Sequence, residues 1–155
     1  MRQTSADLLS KLADKLGGTL RDGPKSTVIT VTPDKAPEAC IAVSSLSGLY
    51  HLSTITGIDL GDEIEILYHF WEGKRFVIVR TDVPKSVPRI RSVADAMPSA
   101  TLYEAEVQDL LGVAFDGNPY TGRRLLLPDD YPAEAPPPLR KDADPEKIRK
   151  MMKLE

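Results

Sequence analysis

Carboxylates concentrate in Leu102-Tyr103-Glu104-Ala105-Glu106-Val107-Gln108-Asp109, a stretch with helical periodicity. Glu106 and Asp109 are three positions apart and so neighbours on one helical face, while Glu104 falls beside Gln108. Paired carboxylates perform acid–base catalysis when their surroundings split their pKa values. One reading is therefore a small stand-alone hydrolase using Glu106 and Asp109. The same acids also suit ion pairs with Arg123 and Arg124 across a turn, or a solvated helix face. His69, in a strand-like run, and His51 are candidate general bases, but neither has a nucleophile or carboxylate partner identifiable in the sequence. Cys40 lies in the small, apolar run Ala39-Cys40-Ile41-Ala42-Val43 with no basic cluster nearby, which points to a buried structural thiol.

Other chemistries are limited by residue counts. With one cysteine and two histidines, the chain lacks the roughly four Cys or His ligands of a structural zinc site or an iron–sulfur cluster. No metal, cofactor-binding or catalytic residue is assigned. Neither GxGxxG nor GxxxxGK[ST] occurs, so no phosphate loop is expected around Gly57, Gly61 or residues 112–122. A net charge of -3 with mixed signs leaves no basic footprint for nucleic acid. The longest apolar runs, such as 64–71, fall short of the ~20 residues of a spanning helix. The N-terminal residues alternate acids, lysines and leucines unlike a signal peptide. A cytoplasmic location is the expectation.

The elements that must position these residues follow from periodicity. Leu8, Leu9, Leu12, Ala13 and Leu16 predict an amphipathic helix over 5–16, capped by Thr4 or Ser5 and ended by Gly17-Gly18. Residues 28–32 are β-branched and stopped by Pro33, a short strand. Residues 37–47 read as a helix with Pro37 in its first turn, or as a half-buried strand. Residues 50–58, 63–71 and 76–80 form an antiparallel meander, the last two runs joined by Glu72-Gly73-Lys74. Its exposed face carries Glu63, Glu65 and His69. Val87, Ile90, Val93, Ala94 and Met97 predict a helix ended by Pro98. A second helix runs over 101–111, with Thr101 and Glu104 as a capping box and Gly112 as its stop. From 116 to 142 the chain is proline-rich and aperiodic, an arm expected to lie on something else. Asp144-Pro145-Glu146 then starts a short helix with Ile148, Met151 and Met152 as its apolar face.

The expected fold is α+β. N-terminal helices pack on an antiparallel β-meander, two further helices follow, and an extended proline-rich C-terminal arm ends the chain. The division falls into an α+β domain, 1–115, and a docking arm with a short terminal helix, 116–155. An independent enzyme rarely leaves so much of its length as an arm, which weighs against the hydrolase; a soluble adaptor outside respiration is a third reading.

Residues 104–142 also carry an ordered set of matches. Glu104-Ala105-Glu106 is followed by Asp109, Gly112, Phe115, Gly117-Asn118-Pro119, Arg123-Arg124 with Leu125-Leu126-Leu127-Pro128-Asp129-Asp130-Tyr131, and Pro138-Leu139-Arg140-Lys141-Asp142. This resembles the C-subunit family of complex I, the proton-pumping NADH:quinone oxidoreductase. The family includes the corresponding subunits of F420H2 dehydrogenases and energy-converting membrane-bound nickel–iron hydrogenases. Three departures stand out: Ala105 replaces an arginine, Asn118 replaces a histidine, and Tyr120-Thr121-Gly122 lengthens the spacer before the arginine pair. They look closer to the F420H2-oxidising or hydrogenase-like branch. The resemblance implies a non-catalytic subunit of the hydrophilic arm, peripheral on the inner face of the cell membrane. It implies docking onto the large, hydrogenase-like D subunit and neighbouring iron–sulfur subunits, with flavin, clusters and quinone site in those partners. The expected partner-binding residues are Glu104, Glu106, Asp109, Arg123, Arg124, Asp129, Arg140, Lys141 and Asp142.

Overall fold

The structure, a computed structural model, describes residues 5–46 and 51–154. Helix α1 (Ser5–Lys15) presents Leu9 and Ala13 to the core, joined by Leu16 in the turn that follows, where Gly17 takes the left-handed conformation at φ 65°. Thr4, Ser47 and Tyr50, which mark expected element ends, lie outside the described residues. Strand β1 (Thr19–Asp22), short and polar, was not legible in the sequence; it pairs antiparallel with β2 (Ser26–Thr30). Helix α2 (Ala36–Ser44) has Pro37 in its first turn, which resolves the helix-or-strand choice at 37–47. Strands β3 (His51–Asp59), β4 (Glu63–Trp71) and β5 (Phe76–Pro84) form the expected antiparallel meander.

These strands make one five-stranded sheet in the order β1-β2-β5-β4-β3. The β2–β5 pairing is parallel, so the sheet is mixed rather than wholly antiparallel. Alternation decides its two faces. Ile64, Ile66, Tyr68 and Phe70 of β4, with Val77, Val79 and Val83 of β5, point inward and are essentially fully buried. At ~1.5–3 kcal/mol for each large apolar side chain withdrawn from water, this layer supplies most of the driving force for the fold. Cys40 sits in it with 0% exposure, as its apolar neighbours suggest, and burial raises its thiol pKa well above the ordinary value. The opposite sheet face carries Glu63, Glu65 and His69 as expected, with Arg80 Nε 2.7 Å from Glu65 Oε1 and Trp71 stacked obliquely on Phe76 at 4.8 Å between ring centres.

The expected helix over 87–97 does not form. Residues 89–91 are instead strand β6 (Arg89–Arg91), parallel to β7 (Ala114–Asp116) in a second, two-stranded sheet. Proline explains the difference. Pro88 lacks an N–H, and it biases Val87 toward extended backbone. The Ala114 N–H then takes the Pro88 carbonyl at 2.8 Å. Ile90, Val93, Ala94 and Met97 are buried all the same, whereas Val87 is 63% exposed, so the apolar spacing reported burial correctly for four of its five residues and helix wrongly. Helix α3 (Ala100–Leu111) follows, and Gly112 ends it at φ 73° with its N–H on the Gln108 carbonyl. The capping box is not made: Ser99 is the N-cap, without a side-chain cap bond, and Glu104 turns into the protein. Residues 117–144 contain no helix or strand. Helix α4 (Pro145–Met151) is capped by Asp144, which accepts from the N–H groups of Glu146 and Lys147 at 3.0 and 3.4 Å. No described helix is long and apolar enough to cross a membrane.

Helix α3 lies over β3 at Gly57, where an added Cβ would stand 2.3 Å from Leu111 Cδ1 and 3.1 Å from Val107 Cγ1. Both leucine and valine are buried and have little room to give. Gly57→Ala is expected to destabilise the fold by about 1–3 kcal/mol through overpacking, read as a lower urea midpoint at unchanged m-value.

Candidate partner interface

Each residue singled out in the sequence has a definite place, and they fall into two groups. Glu104 is fully buried at 0% exposure. Its Oε2 accepts from Ser92 Oγ at 2.5 Å and Asn118 Nδ2 at 2.8 Å, and its Oε1 accepts from the Val93 N–H at 2.8 Å. One carboxylate thus ties α3 to the loop after β6 and to the turn after β7. Asn118 completes the knot, donating also to the Thr101 carbonyl at 3.0 Å and accepting the Tyr120 N–H at 2.7 Å. Burial pushes the Glu104 carboxyl above the usual carboxylate range, against the opposing pull of its three donors.

Asp109, one turn further on, is buried too. Its Oδ2 receives three consecutive backbone N–H groups, from Leu125, Leu126 and Leu127, at 2.8, 2.6 and 3.0 Å. Gln108 Nε2 donates to the Arg123 carbonyl at 2.9 Å. The expected ion pairs of Glu104, Glu106 and Asp109 with Arg123 and Arg124 are absent among the described residues; the helix grips the main chain beside those arginines instead. Asp109 is therefore committed to holding the arm, while Glu106, three residues before it, is exposed. Arg124 works inside the arm: its guanidinium donates to the carbonyls of Pro128, Asp129 and Tyr131 at 2.5, 3.1 and 2.9 Å and lies over the Tyr131 ring. Tyr131 is itself buried and donates to the Pro136 carbonyl at 2.7 Å.

The arm returns to the domain a second time at the end of α3. Carbonyls in a last helical turn have no intrahelical partners. Here Leu110 accepts the Leu139 N–H at 3.0 Å, and Leu111 accepts Arg140 Nε at 2.7 Å. A cation at a helix C-terminus also has favourable polarity. Next to this cap, Asp59 Oδ2 accepts Lys85 Nζ at 2.7 Å and the Lys141 N–H at 2.9 Å, and its Oδ1 accepts the Gly61 N–H at 2.8 Å. Lys85 bridges onward to Asp142 at 3.0 Å. These bonds, led by that from Lys85, hold the Asp59 carboxyl well below the usual range. Asp59, Lys85 and Ser92 carry much of this architecture, and isolated residues of common types gave no sequence signal for them.

What remains outward is Glu106, the side chains of Arg123, Asp129 and Lys141, and the leucines 125, 126 and 139, with Leu126 at 54% and Leu139 at 59% exposure. His69, half-buried on the open sheet face with its pKa lowered by burial, stacks edge-on against Phe76 with ring centres 6.2 Å apart. Among the described residues no cluster of three or more His, Cys, Asp or Glu is arranged to hold a metal ion.

The profile of the family described as "Respiratory-chain NADH dehydrogenase, 30 Kd subunit" matches residues 29–149. The C subunit of the F(420)H(2) dehydrogenase of Methanosarcina mazei is 34% identical over 116 residues, covering 72% of each chain. The C subunit of the NADH-quinone oxidoreductase of Acidothermus cellulolyticus is 35% identical over 102 residues, 64% of this chain and 48% of that protein. Among solved structures, a chain from the membrane-bound sulfane sulfur reductase, an archaeal respiratory membrane complex, superposes with a TM-score of 0.80 at 25% identity, covering 98% of this chain and 93% of that one.

Two outcomes are expected. The pKa of Glu104 is higher folded than unfolded, so its contribution to stability is complete below the unfolded value, about 4.3. It declines as pH rises through the folded value. Glu104→Gln should remove that decline and cost about 1–3 kcal/mol, because the amide NH2 then faces a donor; urea titrations at several pH values compare the two slopes. Asp109→Ala leaves three N–H groups without an acceptor. Trypsin cleavage after Arg123 or Arg124 should then become faster than in wild type, while the sheet keeps its circular dichroism.

Proposed function

Because the chain belongs to the family of the respiratory-chain NADH dehydrogenase 30 Kd subunit, we propose that it is a non-catalytic subunit in the hydrophilic arm of a complex I-like oxidoreductase. Its C-terminal ribbon docks on the hydrogenase-like large subunit and on adjoining iron–sulfur subunits. Flavin, clusters and the quinone-type site reside in those partners, and the chain is held on the cytoplasmic face of the membrane through the complex. The observation that carries this reading is the division of the ribbon. Its main chain is anchored to α3 and β3 by Asp109 and Asp59 and the Arg140 side chain caps α3, while Leu125, Leu126, Arg123, Asp129 and Lys141 are exposed. A ribbon already ordered on its own domain loses less conformational entropy on binding than a free one. Exposed leucines beside charged side chains are the composition of an interface core with a polar rim.

A second reading is the equivalent subunit of an energy-converting membrane-bound hydrogenase-type complex. The near-complete superposition on a chain of an archaeal respiratory membrane complex favours it, and the similarity to an F(420)H(2) dehydrogenase subunit points toward electron donors other than NADH. The two readings share the docking role and differ in the subunits that surround it.

Affinity purification of the tagged chain from its native membranes tests the proposal. Co-purification with a hydrogenase-like large subunit and iron–sulfur subunits is the expected result; a free monomer that turns over a small substrate would overturn it. Arg123→Ala should lower recovery of the partners at unchanged melting temperature, since only its side chain faces outward. Arg124→Ala should lower recovery together with loss of ribbon order, seen as faster proteolysis.

A further inference from the structure

The two edges of the five-stranded sheet are built differently. Strand β1 is four residues long, carries Arg21 and Asp22, and stops at Gly23-Pro24. Short length, charge and proline are the usual protections of an edge against pairing with another chain. Strand β3, the opposite edge, is nine residues long and contains no proline, lysine or arginine. Its register shift is confined to Leu52/Thr54, so Thr54–Asp59 run regularly against β4. Among the described residues no strand pairs with its outer side.

Beside this edge lies a shallow groove of about 180 Å³, with Thr54 to Gly57 on one wall and Val107, Leu110, Leu111 and Leu139 on the other. Glu106 stands on its lip, exposed and without an ion pair among the described residues. A trough lined by aliphatic side chains and two threonines, an edge strand without a neighbour on its outer side among the described residues and one carboxylate without an ion pair together specify an occupant. We infer that β3 receives an extended segment of the partner subunit as a sixth strand. That segment places small apolar side chains in the groove and a lysine or arginine against Glu106. Main-chain hydrogen bonds supply affinity in such strand addition, and alternate side-chain pockets supply specificity. Leu139 joins this surface to the exposed leucines of the ribbon, so strand and ribbon meet one partner. The inference rests on the docking role proposed above and names the surface and chemistry involved.

Hydrogen–deuterium exchange, compared between the isolated chain and the complex purified from native membranes, tests it. In the complex, exchange across residues 53–58 should slow by at least about tenfold, the gain of a made main-chain bond. Thr56→Cys carrying a maleimide-linked photocrosslinker should join a partner peptide containing lysine or arginine; native Cys40 is fully buried and takes no label. Glu106→Lys should lower partner recovery while the melting temperature holds, with Glu106→Gln falling between it and wild type. Unchanged exchange of β3 in an intact complex would overturn strand addition and leave the docking role standing. A crosslink to a second copy of this chain would overturn the hetero-partner. Recovery of the chain outside any membrane complex would overturn both.

Discussion

The burial of the Glu104 carboxylate is the constraint around which the C-terminal half is arranged. A charge removed from water costs several kcal/mol unless donors replace the lost hydration. Here three donors come from two places far apart in the chain: Ser92 and Val93 after β6, and Asn118 after β7. Satisfying one side chain therefore fixes the loop, the two-stranded sheet and the turn relative to α3. With α3 placed, Asp109 and the helix C-terminus come into position to receive the ribbon. Tyr68 and Cys40 face the same interior, and burial raises the pKa of both well above its ordinary value. The knot is polar but set in an apolar surround, where each hydrogen bond is stronger and each unmade one more costly.

The charges expected at an interface divide by what they touch. Glu104, Asp109, Arg124, Arg140 and Asp142 are engaged within the chain, mostly with main-chain groups. Glu106 and the side chains of Arg123, Asp129 and Lys141 are not. Solvent-exposed ion pairs contribute only ~0–1 kcal/mol, so the Lys147–Asp144 and Arg149–Glu146 contacts of α4 do little to hold it. Carboxylates that gather several N–H groups do more, and the chain uses two of them, Asp109 and Asp59, at the points where the ribbon touches down.

The strongly periodic elements could be read from the sequence: β4 with its strict alternation, α1 with its leucine stripe, and α3 with its glycine stop. The ordered matches over 104–142 pointed to the family even though residue types alone did not. What stayed hidden has a physical cause in each case. Residues 87–97 repeat apolar side chains at a spacing shared by a helix and by an irregular buried loop, and the missing N–H of Pro88 tips the choice to the latter. Strand β1 holds only four mostly exposed residues and forms because β2 is there to pair with it. The Thr101/Glu104 spacing fits a capping box, but a vacant set of donors in the interior outcompetes a cap at the surface. Nor could any local pattern bring Asp59 and Lys141 together, since a contact across the whole fold leaves no trace in spacing.

Asp109, Asp59 and the end of α3 recognise the ribbon largely through its amides, with the side chains of Arg140 and Asp142 adding to that seating. The position of the ribbon is thus decoupled from the identity of the side chains it displays. Leucines 125 and 126, Arg123 and Asp129 can be exchanged over generations without moving the scaffold beneath them. Rewriting a few of those outward letters would change what the surface offers while the chassis beneath it stays as it is.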